Sequence, residues 1–465
     1  MTEGRARSPR SWFGAGVFLY GTLVALFVAF VVYRRQGLVE GTVDLNGFGA
    51  LARNIARGEG FSLGHGPTIR RGPLYPYFGA ALLRIFGSDD QTLPDAVFYR
   101  PLIVANCVII GLTCVVVWRL CRELFGARPA LLAAIVCPLV PQTLRYTGMT
   151  EVETSMGLLT ALLALTGLFF VRRPTVGNGA ALGATAGLAT LAKPIVLLFP
   201  IVFVALAGLY WWRSKALDRR AIVASVVALA CFGALLVPWS LRNSAITDGK
   251  FKGISSNGPG EFLRGYVNAQ PKYFLLRQDF GGGGPGEKWD PEANNFEEDF
   301  LRPYGIPFYR SGKDAAGNTV MIPPPPPGMI SADLELEKDR VEGAEVKRRV
   351  LHEPGAFLYK FTAQFASFWY VVETRKKSLI VGSIALLVLA FAGLGVWRAR
   401  RERALVWPVV IVIVYFNAIY AAFLAFARYS MPLYPTLTVL AAGGAVTLFE
   451  LVFQRGTAPK PPPTA

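Results

Sequence analysis

Long apolar runs recur along almost the whole chain, and they decide what it can fold into. Segments at 13–33, 98–118, 129–145, 154–171, 178–192, 195–212, 221–241, 379–397, 405–426 and 433–453 are dominated by aliphatic and aromatic residues. A helix needs about 20 such residues to cross the hydrocarbon core of a bilayer, and a helix satisfies its own backbone polar groups there. The runs at 129–145 and 178–192 are the shortest. Hydrophobic residues occupy 53% of 465 positions, too apolar a balance for a soluble chain of this size. The sequence therefore predicts an all-α polytopic membrane protein with about ten transmembrane helices. The first run is too long for the core of a signal peptide and lacks a small-residue cleavage site, so it reads as a retained anchor.

Charge sets the orientation. A formal net charge of +17 would suit a nucleic-acid partner, but its distribution argues against one. The cations gather beside alternate apolar runs: Arg5, Arg7 and Arg10; Arg119, Arg122 and Arg128; Arg172 and Arg173; Arg213, Lys215, Arg219 and Arg220; Arg398, Arg400, Arg401 and Arg403; Arg455 and Lys460. This is the positive-inside pattern, with both termini cytoplasmic; Arg34 and Arg35 run against it. The chain then divides into three parts. Residues 1–241 form a transmembrane module whose first outer loop, 35–97, carries the chemistry. Residues 242–378 form an outward-facing segment, and 379–465 hold the last spans and a cytoplasmic tail. The expected setting is a bacterial plasma membrane with the active site facing outward. All five cysteines (Cys107, Cys114, Cys121, Cys137, Cys231) lie in or beside apolar runs and read as packing residues. His65 and His352 are far apart, and no CxxC or HExxH spacing marks a structural metal site.

In the first outer loop Phe48, Leu51, Ala52 and Ile55 recur at helical spacing, with Arg53 and Arg57 elsewhere. This predicts a short helix lying on the bilayer surface. Gly58, Gly60, Gly64 and Gly66 break the chain beyond it, and Pro73 to Phe86 resumes an apolar helix ending at Gly87. The segment 242–378 contains a glycine run at 281–284, an extended proline run at 323–327 and a charged helix over 333–352. The aromatic stretch 356–372 reads as an interfacial helix. As an eleventh span it would put Arg398–Arg403 on the outer side.

Ionisable residues collect at the outward ends of the runs. Asp44 sits where a carboxylate would accept a proton from an attacking hydroxyl or ligate a metal; the alternative is the N-cap of the next helix. Glu151 and Glu153 stand at another outward boundary, although Thr150-x-x-Glu153 also has capping-box spacing. Arg70, Arg71, Lys193 and Arg428 occupy outward turns, where positive charge is normally depleted. Arginine suits a phosphate because its planar fork makes two charge-assisted bonds. Headgroup snorkelling and helix C-terminal placement are the competing explanations. Arg242-Asn243 closes the seventh run, after Pro238-Trp239.

In this order the motifs resemble the C-type (GT-C) membrane glycosyltransferases, in particular the superfamily of protein O-mannosyltransferases and the lipid A aminoarabinose transferase. The likeness rests on Asp44 with Leu51-Ala52-Arg53-Asn54 and Gly58-Glu59-Gly60-Phe61-Ser62, and on Arg71-Gly72-Pro73-Leu74-Tyr75-Pro76. Leu191-Ala192-Lys193-Pro194, Pro238-Trp239-Ser240-Leu241-Arg242-Asn243 and Arg428-Tyr429-Ser430-Met431-Pro432-Leu433-Tyr434-Pro435 complete it. The resemblance implies a bundle of transmembrane helices, interfacial helices in the first outer loop and a small outer portion. It implies transfer of a sugar from a polyprenyl-phosphate donor to a lipid, glycan or protein acceptor outside the cytoplasm. Asp44 matches the first-loop acid, Glu153 or Glu151 the second acid, and Arg71 the residue that contacts the carrier phosphate. Arg70, Lys193 and Arg428 assist it, with Tyr75, Arg242, Asn243 and Tyr429 in support. No cofactor is required on this reading; a divalent metal at Asp44 is left open. Two departures stand out: Leu45 comes after Asp44 where the mannosyltransferases carry a second acid, and Gly72-Pro73 replaces Pro-Pro. The rival readings are a polyprenyl-lipid transporter or flippase and a non-catalytic membrane binding protein. Charge is nearly absent from the middle of the runs, which favours surface chemistry over translocation.

Overall fold

A computed structural model describes residues 9–32, 44, 46–88, 95–275, 296, 298–306, 310–313, 319–322, 330–402 and 404–453. The first apolar run is α1 (Pro9–Phe27), prolonged by a π turn to Val32. The first loop carries α2 (Phe48–Arg57) and α3 (Leu74–Phe86). Then come α4 (Arg100–Phe125), α5 (Ala127–Val136), α6 (Glu153–Arg172), α7 (Val176–Ala192), α8 (Phe199–Arg213) and α9 (Arg219–Ile246). Next are α10 (Gly258–Asn268), a hairpin of β1 (Arg310–Lys313) with β2 (Thr319–Ile322), α11 (Ser331–His352) and α12 (Pro354–Ser367). The chain closes with α13 (Arg375–Arg401), α14 (Trp407–Ala422) and α15 (Tyr434–Phe453). The hairpin, antiparallel with Arg310 opposite Ile322, is the one departure from an all-α fold among the described residues. The 281–284 and 323–327 runs, Arg5, Arg7, Arg34, Arg35, Leu45, Arg403, Arg455 and Lys460 lie outside those residues.

Each of the ten expected runs coincides with a helix, but they are not alike. Among the described residues, 7 helices are long and apolar enough to cross a bilayer: Trp12–Val32, Arg100–Phe125, Glu153–Arg172, Pro194–Arg213, Arg219–Ile246, Arg375–Arg401 and Ala427–Phe453. The other three are α5, with 10 residues, α7, with 17, and α14, with 16. Proline ends or borders two of them: Pro138 lies in the 3-10 turn that continues α5, and Pro194 comes just after α7. α7 is held by close backbone approach. A Cβ on Gly179 would run into the Ala224 carbonyl, and one on Gly183 into the Ala228 carbonyl, both on α9. Gly395 and Gly444 bring α13 and α15 together in the same way. Small residues allow this in a membrane, where apolar burial itself drives helices together only weakly.

The α2 helix forms as its spacing predicts but is not seated as expected. Its apolar face is buried within the protein instead of lying on a bilayer: Leu51 and Ala52 are 0% exposed, and Gly79 of α3 packs against Ala52. The start of α11 closes over the loop between α2 and α3. Ser331 N and Ala332 N donate to His65 O and Pro67 O, at 3.0 and 3.1 Å. Glu335 accepts from Thr68 Oγ1 at 2.5 Å and Ile69 N at 2.8 Å. α12, with 14 residues, spans about 21 Å, short of a bilayer core. Its exposed Leu358, Tyr359 and Phe365 and its buried Lys360 and Gln364 suit a helix lying along an interface.

Gly183→Leu should force α7 and α9 apart at a backbone contact. We expect a loss of about 1–3 kcal/mol or more, read as a lowered thermal unfolding midpoint in detergent. Gly177→Ala, in open space on the same helix, serves as the control.

Candidate functional site

Six chain segments meet where α2, α3, α6, α7, α10 and the turn before α15 converge. The first is the turn into α2. Asp44 turns its carboxylate onto the start of that helix: Oδ1 accepts from Gly49 N at 2.9 Å and Oδ2 from Ala50 N at 2.8 Å. Thr150 Oγ1 donates to Asp44 Oδ1 at 3.0 Å, joining this turn to the approach to α6. Asn46 strengthens the joint by donating to both oxygens of Glu151, at 2.8 and 3.0 Å.

The acids of that approach are buried. Glu151 is 0% and Glu153 3% exposed. Their partner comes from more than 270 positions away. Arg428 Nε donates to Glu153 Oε1 at 2.6 Å, and Nη2 to Glu151 Oε2 at 2.7 Å. Lys193, in the turn between α7 and α8, adds a 3.2 Å bond to Glu153 Oε1. Burial raises the Glu151 carboxyl above the ordinary carboxylate range, and the Arg428 charge opposes that rise. Expected capping-box geometry at Thr150 and Glu153 does not form, because Thr150 goes to Asp44 and Glu153 to the two cations. Asp44, in contrast, does bond the start of a helix, at the amides of Gly49 and Ala50, although the N-cap position itself is Gly47.

Arg71 stands apart from these pairs. Its guanidinium lies 5.4 Å from the Phe48 ring centre, and its Nε is buried with no hydrogen-bond partner among the described residues. Burial lowers it to about 10, and the adjacent Arg70 acts in the same direction, so it stays protonated at neutral pH. Gly72 beside it packs on the C-terminal end of α7, where a Cβ would meet the Leu191 carbonyl. This contact accounts for glycine in place of the proline of the resembled motif.

A cavity of about 460 Å³ joins these groups. Arg70, Arg71, Lys193 and Arg428 line it with Glu153, Asn46 and Tyr429. Glu261 and Arg264 of α10 also line it, as do Leu197, Leu198, Ile419 and Phe423. Leu197 and Leu198 are 41% and 51% exposed on the outer surface of the bundle, so the apolar wall continues onto the side of the protein. Tyr429 stacks on Tyr420 with ring centres 4.6 Å apart, and Lys193 Nζ lies 5.2 Å from its ring.

The expected site residues thus fall into groups. The four cations, Glu153 and Tyr429 share the cavity. Asp44 and Glu151 sit behind it, reached through Asn46 and Arg428. Tyr75 is buried away from it, against Asn106 at 3.3 Å and edge-on to Phe48. Arg242 donates to Thr68 O at 2.7 Å and lies 4.6 Å from the Trp239 ring, while Asn243 donates to Gly253 O at 2.9 Å. That pair braces the loops instead of lining the site. Asn46, Glu261 and Arg264 were not foreseen; only Asn46, two positions past Asp44, carried a hint. No group of three or more His, Cys, Asp or Glu that could hold a metal occurs among the described residues.

Removing Arg428 leaves two buried carboxylates short of a partner. Arg428→Ala should cost about 3–5 kcal/mol of stability, read by thermal unfolding, and adding Glu151→Gln should recover part of it.

Residues 70–239 match the family model described as dolichyl-phosphate-mannose-protein mannosyltransferase, a stretch that includes Arg71, Glu151, Glu153 and Lys193. No curated protein matches the sequence. Among solved structures, the apo oligosaccharyltransferase of Archaeoglobus fulgidus is similar in fold, with a TM-score of 0.55 at 16% identity over 97% of this chain and 52% of that one. The archaeal oligosaccharyltransferase AglB from the same organism, in complex with an inhibitory peptide and a dolichol-phosphate, gives 0.52 at 14% identity over 98% and 53%. A looser likeness, at 0.38 and 14% identity over 98% and 82%, is to ArnT from Cupriavidus metallidurans bound to undecaprenyl phosphate. The chain spans about half the length of the oligosaccharyltransferases it matches. Through the family match over residues 70–239 and the shared helical architecture, this integral membrane protein is similar to the C-type membrane glycosyltransferases.

Proposed function

We propose that this protein moves a sugar from a polyprenyl-phosphate carrier to an acceptor hydroxyl on the non-cytoplasmic side of the membrane. The observation that carries the reading is the cavity. It sets cationic side chains, Arg71 with a buried nitrogen that has no partner among the described residues, at the end of an apolar wall that opens onto the flank of the bundle. A polyprenyl phosphate has the matching form, a compact anion on a long hydrocarbon. The tail runs along Leu197 and Leu198, and the phosphate meets Arg71. Arg428 and Lys193 hold their charge beside it while bound to Glu153.

In the transfer, the acceptor oxygen attacks the anomeric carbon from the face opposite the phosphate. The new glycosidic bond forms as the carbon–phosphate-oxygen bond breaks, and the carrier leaves with the electron pair. The configuration at the anomeric carbon inverts. Arg71, Arg428 and Lys193 stabilise the charge that grows on the leaving phosphate; fixed charge of this kind is usually the largest catalytic term. Asp44, behind the wall that Asn46 forms, is the base we assign to the acceptor's proton, with the acceptor seated on the Asn46 side of the cavity. Two backbone amides and a threonine hydroxyl fix the direction of its carboxylate, so little reorganisation is required of it. The outer segment, through α10 and α11, covers the reacting groups and limits hydrolysis of the donor.

The test is release of polyprenyl phosphate from a labelled donor by the purified protein. Arg71→Ala should raise the donor KM by about tenfold or more, consistent with losing a charge-assisted contact. Asp44→Asn should lower turnover by about 10²–10⁴ with donor binding retained. Undiminished turnover in that variant would refute the role given to Asp44.

A further inference from the structure

Glu153 also borders a second, much smaller space of about 10 Å³, the size of one water. Glu153 lines both spaces. Four polar atoms of residues in the chamber wall are buried with no hydrogen-bond partner among the described residues: Gln142 Oε1, Thr143 Oγ1, Glu153 Oε2 and Thr154 Oγ1. The four residues are between 3% and 8% exposed. Buried polar groups are paired as a rule, and four gathered around one small space call for a shared partner. The threonines add to this. Thr113, in the same wall, and Thr185, Thr190, Thr438 and Thr447 elsewhere return their hydroxyls to the carbonyl four residues back, whereas Thr22 and Thr436, away from the wall, have no partner among the described residues. Thr143 and Thr154 make no such return.

The four atoms match the bonding capacity of one water. Its two hydrogens go to the amide oxygen of Gln142 and the carboxylate oxygen of Glu153, and its two lone pairs accept from the hydroxyls of Thr143 and Thr154. A metal cation fits less well: Glu153 already has Arg428 and Lys193, and the hydroxyl hydrogens would be left without acceptors.

We propose that one buried water, held by Gln142, Thr143 and Thr154, is a fixed partner of Glu153, and that Glu153 is thereby a positioning residue for the phosphate-binding cations. Glu153 Oε1 takes Arg428 and Lys193, and Oε2 takes the water. With both oxygens committed, the carboxylate anchors its cations and leaves proton transfer to Asp44. A loosened Glu153 lets Arg428 and Lys193 drift, which weakens phosphate binding more than it slows chemistry. The catalytic half of this inference rests on the function proposed above; the water itself does not.

Two experiments test it on the full chain in lipid nanodiscs. The first is an electron cryo-microscopy map fine enough to show other buried waters. A peak about 2.6–3.2 Å from the four atoms is expected. No peak, or one at about 2.4 Å with metal-like geometry, overturns the water. The second measures farnesyl phosphate affinity by calorimetry alongside donor turnover. Thr154→Val should weaken farnesyl phosphate by about fivefold and raise the donor KM similarly, with kcat within about twofold, and Thr154→Ser should restore both. Unchanged affinity, or an equal fall in kcat and kcat/KM, overturns the positioning role. Thr143→Val replaces Thr154→Val if the latter does not fold. Wild-type protein that binds farnesyl phosphate yet releases no carrier sinks the proposed transfer, while the map and the affinity still judge the chamber.

Discussion

One guanidinium ties the molecule's separate parts together. Arg428 donates to Glu151 and Glu153 at once, and those acids are too deeply buried to keep their charge without it. Through Glu153 it reaches Lys193 and the turn between α7 and α8. Through Glu151 and Asn46 it reaches the turn that carries Asp44. The approach to the last helix, the turn between α7 and α8 and the first loop are therefore held in register by a small network, while apolar contacts between helices tolerate sliding. Its energetic logic is one-sided: making the pairs gains little over an apolar core, but breaking any of them is costly. Such a network specifies geometry more than it adds stability.

That network also separates two kinds of positive charge. Arg428 and Lys193 are committed to carboxylates and keep fixed positions. Arg71 is surrounded by an aromatic ring, a neighbouring arginine and the cavity, with its Nε left over. The reversible anion site proposed above needs both kinds. The committed charges shape the field without collapsing onto each other, and the uncommitted one provides the bond that a ligand makes and breaks.

The helices were legible because their signal is local and repeated: apolar runs of bilayer length at 98–118 or 379–397 admit few other structures. The helix α2 was legible for the same reason, but its seat was not. Periodicity marks which face is apolar and is silent on whether lipid or α3 covers it. Thr150 and Glu153 show the converse. Their spacing is that of a local cap, and tertiary partners at Asp44 and Arg428 prevail over it. The meeting of Glu153, Lys193 and Arg428 spans about 40 and 275 positions and leaves no trace in any window of sequence. Only the order of the motifs hinted at it. Glu261 and Arg264 gave no hint.

The grip of Glu335 on Thr68 and Ile69 lies one to three residues ahead of Arg70 and Arg71. This carboxylate belongs to α11, and it holds the backbone and a side chain of the strip that presents both arginines. Helix α11 and the arginine strip are consequently joined like a lever and its pivot. In the function proposed above, a tilt of α11 would carry the guanidiniums with it, linking entry to the site with grip on the carrier phosphate.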